Sequence, residues 1–342
     1  MNTLYKKNFL KLSDYSVSEI KKIINLASFL KKKKEKINKK KILKNKKIVL
    51  IFEKESTRTR CSFEVASFEQ GANITYLGPK DTHLNYKESI EDTTEILSSL
   101  YDLIVFRGNR HKSIETFSKL SKIPVLNALT NKFHPTQLLA DLLTIQENLP
   151  KNKKIEEITC AYVGDAKNNI SNSLIEASNL IGFNLRIIAP KKYWPEPSFL
   201  HKIKKNNNFD NKNIICTENI EKGINQVDFI YTDVWVSMNE KLEIWEEKIS
   251  LLKKYQINNS MLELTNNPQI KILHCLPALH DLKTTLGKKI IKNFELKNGI
   301  EITDEVFQKN KKIILEQSIN KLHTIKSILI FTLNKKEINF NF

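Results

Sequence analysis

The chain is predicted to form two α/β domains, each built on a doubly wound parallel sheet. Three observations predict this. Short apolar, β-branched runs of strand length alternate with segments of helical period, as in sheets whose strands are joined by helical crossovers. The alternation occurs twice, on either side of the polar stretch 148–154. The 342 residues exceed the ~150 of a typical single domain. With 40% apolar residues the chain can fill a sizeable core, which excludes disorder throughout.

The elements follow in order. Ser16-Val-Ser-Glu19 reads as a capping box, and Ile20, Ile23, Ile24, Ala27 and Leu30 then recur at helical spacing. Lysines from Lys31 onward lie at that helix's C-terminal end, where cations suit the macrodipole. Residues 47–52 read as a buried parallel strand, 53–60 as a polar turn, and the segment carrying Phe63, Val65, Ala66 and Phe68 as a helix. Strands at 73–77, 103–106 and 124–126 and a helix at 89–100 complete the first sheet. His134-Pro-Thr-Gln137 opens a helix to about Glu147, with Pro135 near its first position, where a missing N–H costs nothing. The second series has strands at 157–163, 185–189, 227–231 and 271–275 and a helix at 172–181. A last helix, about 311–333, places Ile319, Leu322, Ile325, Ile328 and Leu329 on one face, and Trp235 and Trp245 read as packing residues.

The formal net charge of +18 points at first to a polyanion or a membrane surface. Its distribution argues otherwise. Residues 6–47 hold 16 lysines against three acids, so most of the excess sits in one stretch. The run Lys31–Lys47 reads as a solvated helix end and loop. Five arginines beside 51 lysines indicate a compositional bias. Neither nucleic acid nor membrane is expected as a partner. Four scattered cysteines without a CxxC pair fit a reducing compartment. The N-terminus has no signal or transit pattern, and no apolar run approaches the ~18 residues of a spanning helix, so a cytoplasmic protein is expected.

In doubly wound sheets ligands bind beyond the carboxyl ends of the strands. The polar residues there are Ser56-Thr-Arg-Thr-Arg60, Arg107, His134-Pro-Thr-Gln137, Asp165 to Asn169, Asp233 with Ser237-Met238, and His274-Cys-Leu-Pro277. Ser56–Arg60 joins hydroxyls and guanidinia to the N–H groups of a helix start, a set suited to a phosphate-type anion. Two of the five arginines lie in that pentapeptide and a third is Arg107. Guanidinium offers a planar fork that ammonium lacks. No GxxxxGK[ST] or GxGxxG pattern is present, which argues against a Walker loop or a dinucleotide fingerprint. His274, Cys275 and His280 match no usual zinc spacing, so no metal is expected.

Taken together in this order, Ser-Thr-Arg-Thr-Arg, Phe-Arg-Gly, His-Pro-Thr-Gln, Gly-Asp-Ala-Lys-Asn-Asn, Asp-Val-Trp-Val-Ser-Met and His-Cys-Leu-Pro resemble the aspartate/ornithine carbamoyltransferase family from end to end. The last two motifs resemble its ornithine branch. The resemblance implies carbamoyl transfer to the δ-amino group of ornithine with no metal or organic cofactor, in a homotrimer or a multiple of one. It implies a carbamoyl-phosphate domain over 1–134, a linking helix over 135–150 and an ornithine domain over 151–310, with the C-terminal helix returning to the first domain. Ser56, Thr57, Arg58, Thr59 and Arg107 would hold the phosphate. His134 and Gln137 would bind the carbamoyl group, within the motif that includes Pro135 and Thr136. Asn168, Asp233, Ser237 and Met238 would orient ornithine. Cys275 and Leu276 would lie beside the attacking nitrogen, with Asp233 and Cys275 handling its proton and Arg107 polarising the carbonyl. Four positions depart from the family pattern: His83 stands for a glutamine that reaches a neighbouring subunit's phosphate, Asn85 and Asn239 for glycines, and Lys321 for an arginine that contacts carbamoyl phosphate. A carbamoyltransferase for another amine and a degenerate, non-catalytic paralogue are the alternatives.

Overall fold

The computed structural model describes residues 2–33, 40–82, 87–205, 214–236, 242–294, 296 and 298–336. His83, Asn85, Ser237, Met238 and Asn239, and Lys34–Lys39 of the basic run, lie outside the described residues. The chain divides into two compact units, Met1–Leu143 with Ile319–Phe342, and Thr144–Ser318.

The first unit opens with α1 (Val17–Lys32). Its capping box forms: Glu19 N donates to Ser16 Oγ, and Ser16 N donates to the Glu19 carboxylate at 2.8 Å. The strands β1 (Lys47–Phe52), β2 (Asn73–Leu77), β3 (Leu103–Arg107) and β4 (Val125–Leu129) make a sheet of order β2-β1-β3-β4, parallel throughout. The crossovers are α2 (Thr57–Gln70), α3 (Ile90–Leu100) and α4 (His111–Leu120). Val49, Ile51, Ile104, Phe106 and Val125 of the strands pack with Leu97, Ile114 and Phe117 of the helices into one buried cluster. The winding reverses between β1 and β3, so the ligand crevice of such a sheet falls at their carboxyl ends. The helix α5 (Pro135–Glu147) then carries the chain into the second unit.

That unit holds β5 (Thr159–Val163), α6 (Asn169–Ile181), β6 (Asn184–Ile188), α7 (Pro197–Lys205), β7 (Ile214–Thr217), α8 (Ile220–Ile224), β8 (Phe229–Thr232), α9 (Leu242–Leu252), α10 (Asn259–Glu263), β9 (Lys271–His274) and α11 (Thr285–Asn293). Its sheet, parallel in every pairing, has the order β7-β6-β5-β8-β9. Here the reversal lies between β5 and β8. β7 is a further strand, outside those expected from the sequence: a four-residue edge strand with only half-buried and exposed positions. The strand expected from 157 begins at Thr159, because a short 3-10 turn occupies Ile155–Glu157.

The last helix, α12 (Asp304–Leu333), begins seven residues earlier than the apolar periodicity indicates. Its buried surface also differs. Ile325, Ile328 and Leu329 are buried as expected, whereas Ile319 is 56% exposed. Thr324, Lys326 and Ser327 are buried beside them, so this stretch is enclosed nearly all round and its face cannot be read from apolar spacing alone. Lys326 is held there by an ion pair with Glu69 of α2. Trp235 and Trp245 are both buried. Among the described residues, no helix is long and apolar enough to cross a membrane.

Candidate active site

In the first unit the polar residues gather at the switch point. Ser56 is the N-cap residue of α2, and its hydroxyl makes no capping bond. Thr57 and Arg58 are exposed, and Thr59 is buried. Arg107 ends β3, where the register with β4 shifts between Phe106 and Arg107, and its carbonyl accepts from Glu53 N. The loop is tight: a Cβ on Gly108 would lie 2.4 Å from the Phe106 ring. The Glu53 carboxylate accepts from Asn109 N at 2.8 Å.

At the centre stands Lys321, 5% exposed. Its ammonium donates to Thr59 Oγ1 at 3.0 Å and Gln137 Oε1 at 3.2 Å, and lies 3.3 Å from His134 Nε2. An ammonium only donates, so Nε2 is the acceptor and the proton of a neutral ring sits on Nδ1. Nδ1 faces Thr136 Oγ1 at 3.4 Å, whose hydroxyl reaches the Ala128 carbonyl. Burial first, and then Lys321, Arg107 and Arg58 in turn, push the His134 pKa well below its usual value. His134 is therefore neutral within a cluster of cations. Gln137 is oriented by a residue outside the six motifs. Its Nε2 donates to buried Asp141 at 2.8 Å, one helical turn further along α5. A lone carboxylate in the apolar run Leu138-Leu-Ala-Asp-Leu-Leu143 was the available signal.

Arg60 departs from expectation. Its guanidinium pairs with Glu64 at 2.9 Å and lies 3.7 Å from the centre of the Tyr76 ring. The side chain is spent on the surface of α2 and β2, and does not join Arg58 and Arg107 at the anion cluster.

The second unit shows the same logic at β5, β8 and β9. Asn168 caps α6 by accepting from Ser171 N, and its amide donates to the Tyr162 hydroxyl and the Asp165 carbonyl, both at 2.7 Å. Asp233 follows β8 and accepts from Val234 N. The residue is only half-buried, yet desolvation of the carboxyl pushes its pKa up to about 7; His274 opposes the rise while Glu301 and Asp165 add to it. Cys275, half-buried, follows β9, and Leu276–Pro277 is a cis peptide. Beneath them His274 Nε2 lies 3.0 Å from Glu301 Oε1, and Nδ1 lies 2.9 Å from the Cys275 carbonyl. His274 and Glu301 are fully buried. Both ring nitrogens of His274 thus face oxygens, which fixes the imidazole beneath the Cys275 turn. Glu301 comes from a distant loop and carries no motif. No cluster at His274 and Cys275 has a ligand geometry for metal; the one His/Asp group close enough for it, among the described residues, is His280, Asp281 and Asp304, which His280 occupies by pairing with Asp304 and stacking on Phe307.

Comparison with known proteins decides the relationship. Residues 7–147 match the model of the aspartate/ornithine carbamoyltransferase carbamoyl-P binding domain, and 156–332 that of the Asp/Orn binding domain. The chain belongs to this carbamoyltransferase family. A relative named ornithine carbamoyltransferase, from Buchnera aphidicola of Schizaphis graminum, is 58% identical over 99% of this chain and 100% of its own length. Its counterpart from Buchnera of Acyrthosiphon pisum is 59% identical over 98% and 99%. Among solved structures, the anabolic ornithine carbamoyltransferase of Campylobacter jejuni has a TM-score of 0.82 at 33% identity, covering 95% of this chain and 98% of that one. That of Pyrococcus furiosus has a TM-score of 0.84 at 32% identity, covering 98% and 99%. The family membership and fold class expected from the six motifs are borne out.

Proposed function

We propose that the chain transfers the carbamoyl group of carbamoyl phosphate to the δ-amino group of L-ornithine, giving L-citrulline and phosphate. One observation carries this reading. Arg58, Arg107 and Lys321 surround a buried, neutral His134 alongside Thr59 and Gln137, which suits an anionic donor whose carbonyl must be polarised. As the phosphate departs with increasing charge, the guanidinia, the hydroxyls of Ser56, Thr57 and Thr59 and the first-turn N–H groups of α2 stabilise it. His134 and Gln137 hold the carbamoyl group. Pro135 and Thr136 shape the turn that presents them.

In the second unit Asn168, Asp233, Ser237 and Met238 take the α-amino and α-carboxylate groups of ornithine, with Cys275 and the Leu276 carbonyl beside the δ-nitrogen. That nitrogen must be neutral to attack, and a free alkylamine has a pKa near ~10. Asp233 and Cys275 handle its proton, with no covalent enzyme intermediate. Neither step calls for a metal or organic cofactor. Relatives at 58–59% identity named for ornithine favour this acceptor over another amine and over a non-catalytic role.

The same reading extends to a cytoplasmic homotrimer, or a multiple of one, acting in arginine biosynthesis. Exposed Phe68 on α2 and Ile96 and Leu100 on α3 offer apolar surface for self-association. His83 would reach a neighbouring subunit's phosphate. The purified protein is expected to form citrulline and phosphate in equal amounts. No citrulline at saturating substrates, or a higher rate with putrescine or aspartate, would refute the assignment.

Lys321 bears on affinity. Its three donors are directed at Thr59, His134 and Gln137, a point charge where a fork would grip two oxygens. Lys321→Arg is expected to lower KM for carbamoyl phosphate, and equal Michaelis constants for the two proteins would sink that expectation.

A further inference from the structure

We infer that Lys248 of α9 is a positioning residue of the acceptor half-site, clamping the carboxyl ends of β5 and β8 together. The inference rests on the assignment of ornithine to that half-site. In a chain with 51 lysines the residue has no sequence signal; its surroundings set it apart. The Lys248 ammonium lies 3.0 Å from Asp165 Oδ2 and donates to the Trp235 carbonyl at 3.1 Å. The two charged side chains are only 15% and 9% exposed, whereas the ion pairs Lys167–Glu196 and Lys192–Glu247 of the same unit are half-exposed on both sides. Withdrawing a lysine and an aspartate from water costs as much as their attraction returns, so such a pair contributes geometry more than stability.

The geometry leads to the site in two directions. Asp165 directly follows Gly164 at the end of β5. Its other carboxylate oxygen accepts from Lys167 N at 3.0 Å, and its carbonyl accepts from the Tyr162 hydroxyl and from Asn168. Lys248 thus fixes the turn that presents Asn168. Trp235 stands two residues beyond Asp233 and two before Ser237. It is buried directly on Gly164, where φ is +114° and an added Cβ would lie 2.5 Å from the indole Nε1. A displaced Trp235 would therefore push on the β5 turn.

Kinetics with purified full-length protein test this. Lys248→Met keeps the aliphatic bulk and removes the ammonium that reaches Asp165 and Trp235. It is expected to raise KM for ornithine roughly tenfold, the scale of a small misplacement of a binding group, while KM for carbamoyl phosphate stays within about twofold. Lys248→Arg, which restores charge and donors, is expected to recover most of the ornithine affinity. An unchanged ornithine KM overturns the inference, as does a loss shared equally by both substrates or one that arginine fails to rescue. Should Lys248→Met be insoluble, Lys248→Gln carries the same comparison. A wild-type protein that forms no citrulline refutes the acceptor assignment itself; an active wild type with an indifferent Lys248→Met refutes only the role of Lys248.

Discussion

Replacing Arg107 with methionine is expected to lower kcat/KM for carbamoyl phosphate by about 10²–10³-fold, the usual cost of removing one preorganised donor to developing negative charge. The position is fixed on three sides. Arg107 ends a strand paired with both β1 and β4, its carbonyl is held by Glu53 N, and Gly108 beyond it has no room for a side chain. Its charge reaches the reacting region, because it is one of three cations that depress the His134 pKa. Arg107→Lys is expected to fall between, since it keeps the charge and loses the fork. Arg60→Met supplies the contrast. Arg60 is engaged by Glu64 and Tyr76 at the surface, where solvent screens the pair, and its loss should leave kcat/KM within about twofold of wild type. Initial rates at varied carbamoyl phosphate with ornithine saturating measure all three. Equal losses at positions 60 and 107 would contradict the arrangement.

That contrast shows where sequence is informative and where it stops. Strand, turn and helix were legible because a buried parallel strand must be apolar and the turn after it must be polar. The candidate site residues lie at the strand ends or in the segments just beyond them, as Arg107, His134 and Asp233 do. What a side chain touches after folding is not encoded at such short range. Arg58 and Arg60 are two residues apart on one helix, and only tertiary packing decides that one joins the electrostatics of His134 while the other stacks on Tyr76. The same limit hides Asp141 behind Gln137 and Glu301 behind His274, whose partners are visible only in three dimensions. Ile319 fails for a related reason. Helical periodicity marks a face when one side meets water, and α12 buries Thr324, Lys326 and Ser327 beside its apolar residues.

Asp233 is expected to place a break near pH 7 in the profile of kcat/KM for ornithine, which reports groups of the free enzyme. Burial raises its pKa to about 7, and Glu301 and Asp165 add to the rise against the opposing effect of His274. Below the break Asp233 is neutral and can neither hold the α-ammonium of ornithine nor accept the proton that the neutral δ-nitrogen sheds as it attacks; above it the carboxylate is available. The reactive neutral δ-amine also increases about tenfold per pH unit up to its own pKa near ~10. Log kcat/KM should therefore climb with a slope of about two below pH 7 and about one above it. Asp233→Asn removes the titrating group while keeping its shape. The variant should show a slope of about one throughout and a value about 10²-fold lower at pH 8, with KM for carbamoyl phosphate little changed. A break that survives in Asp233→Asn would belong to another group and would remove Asp233 from the proton-handling role.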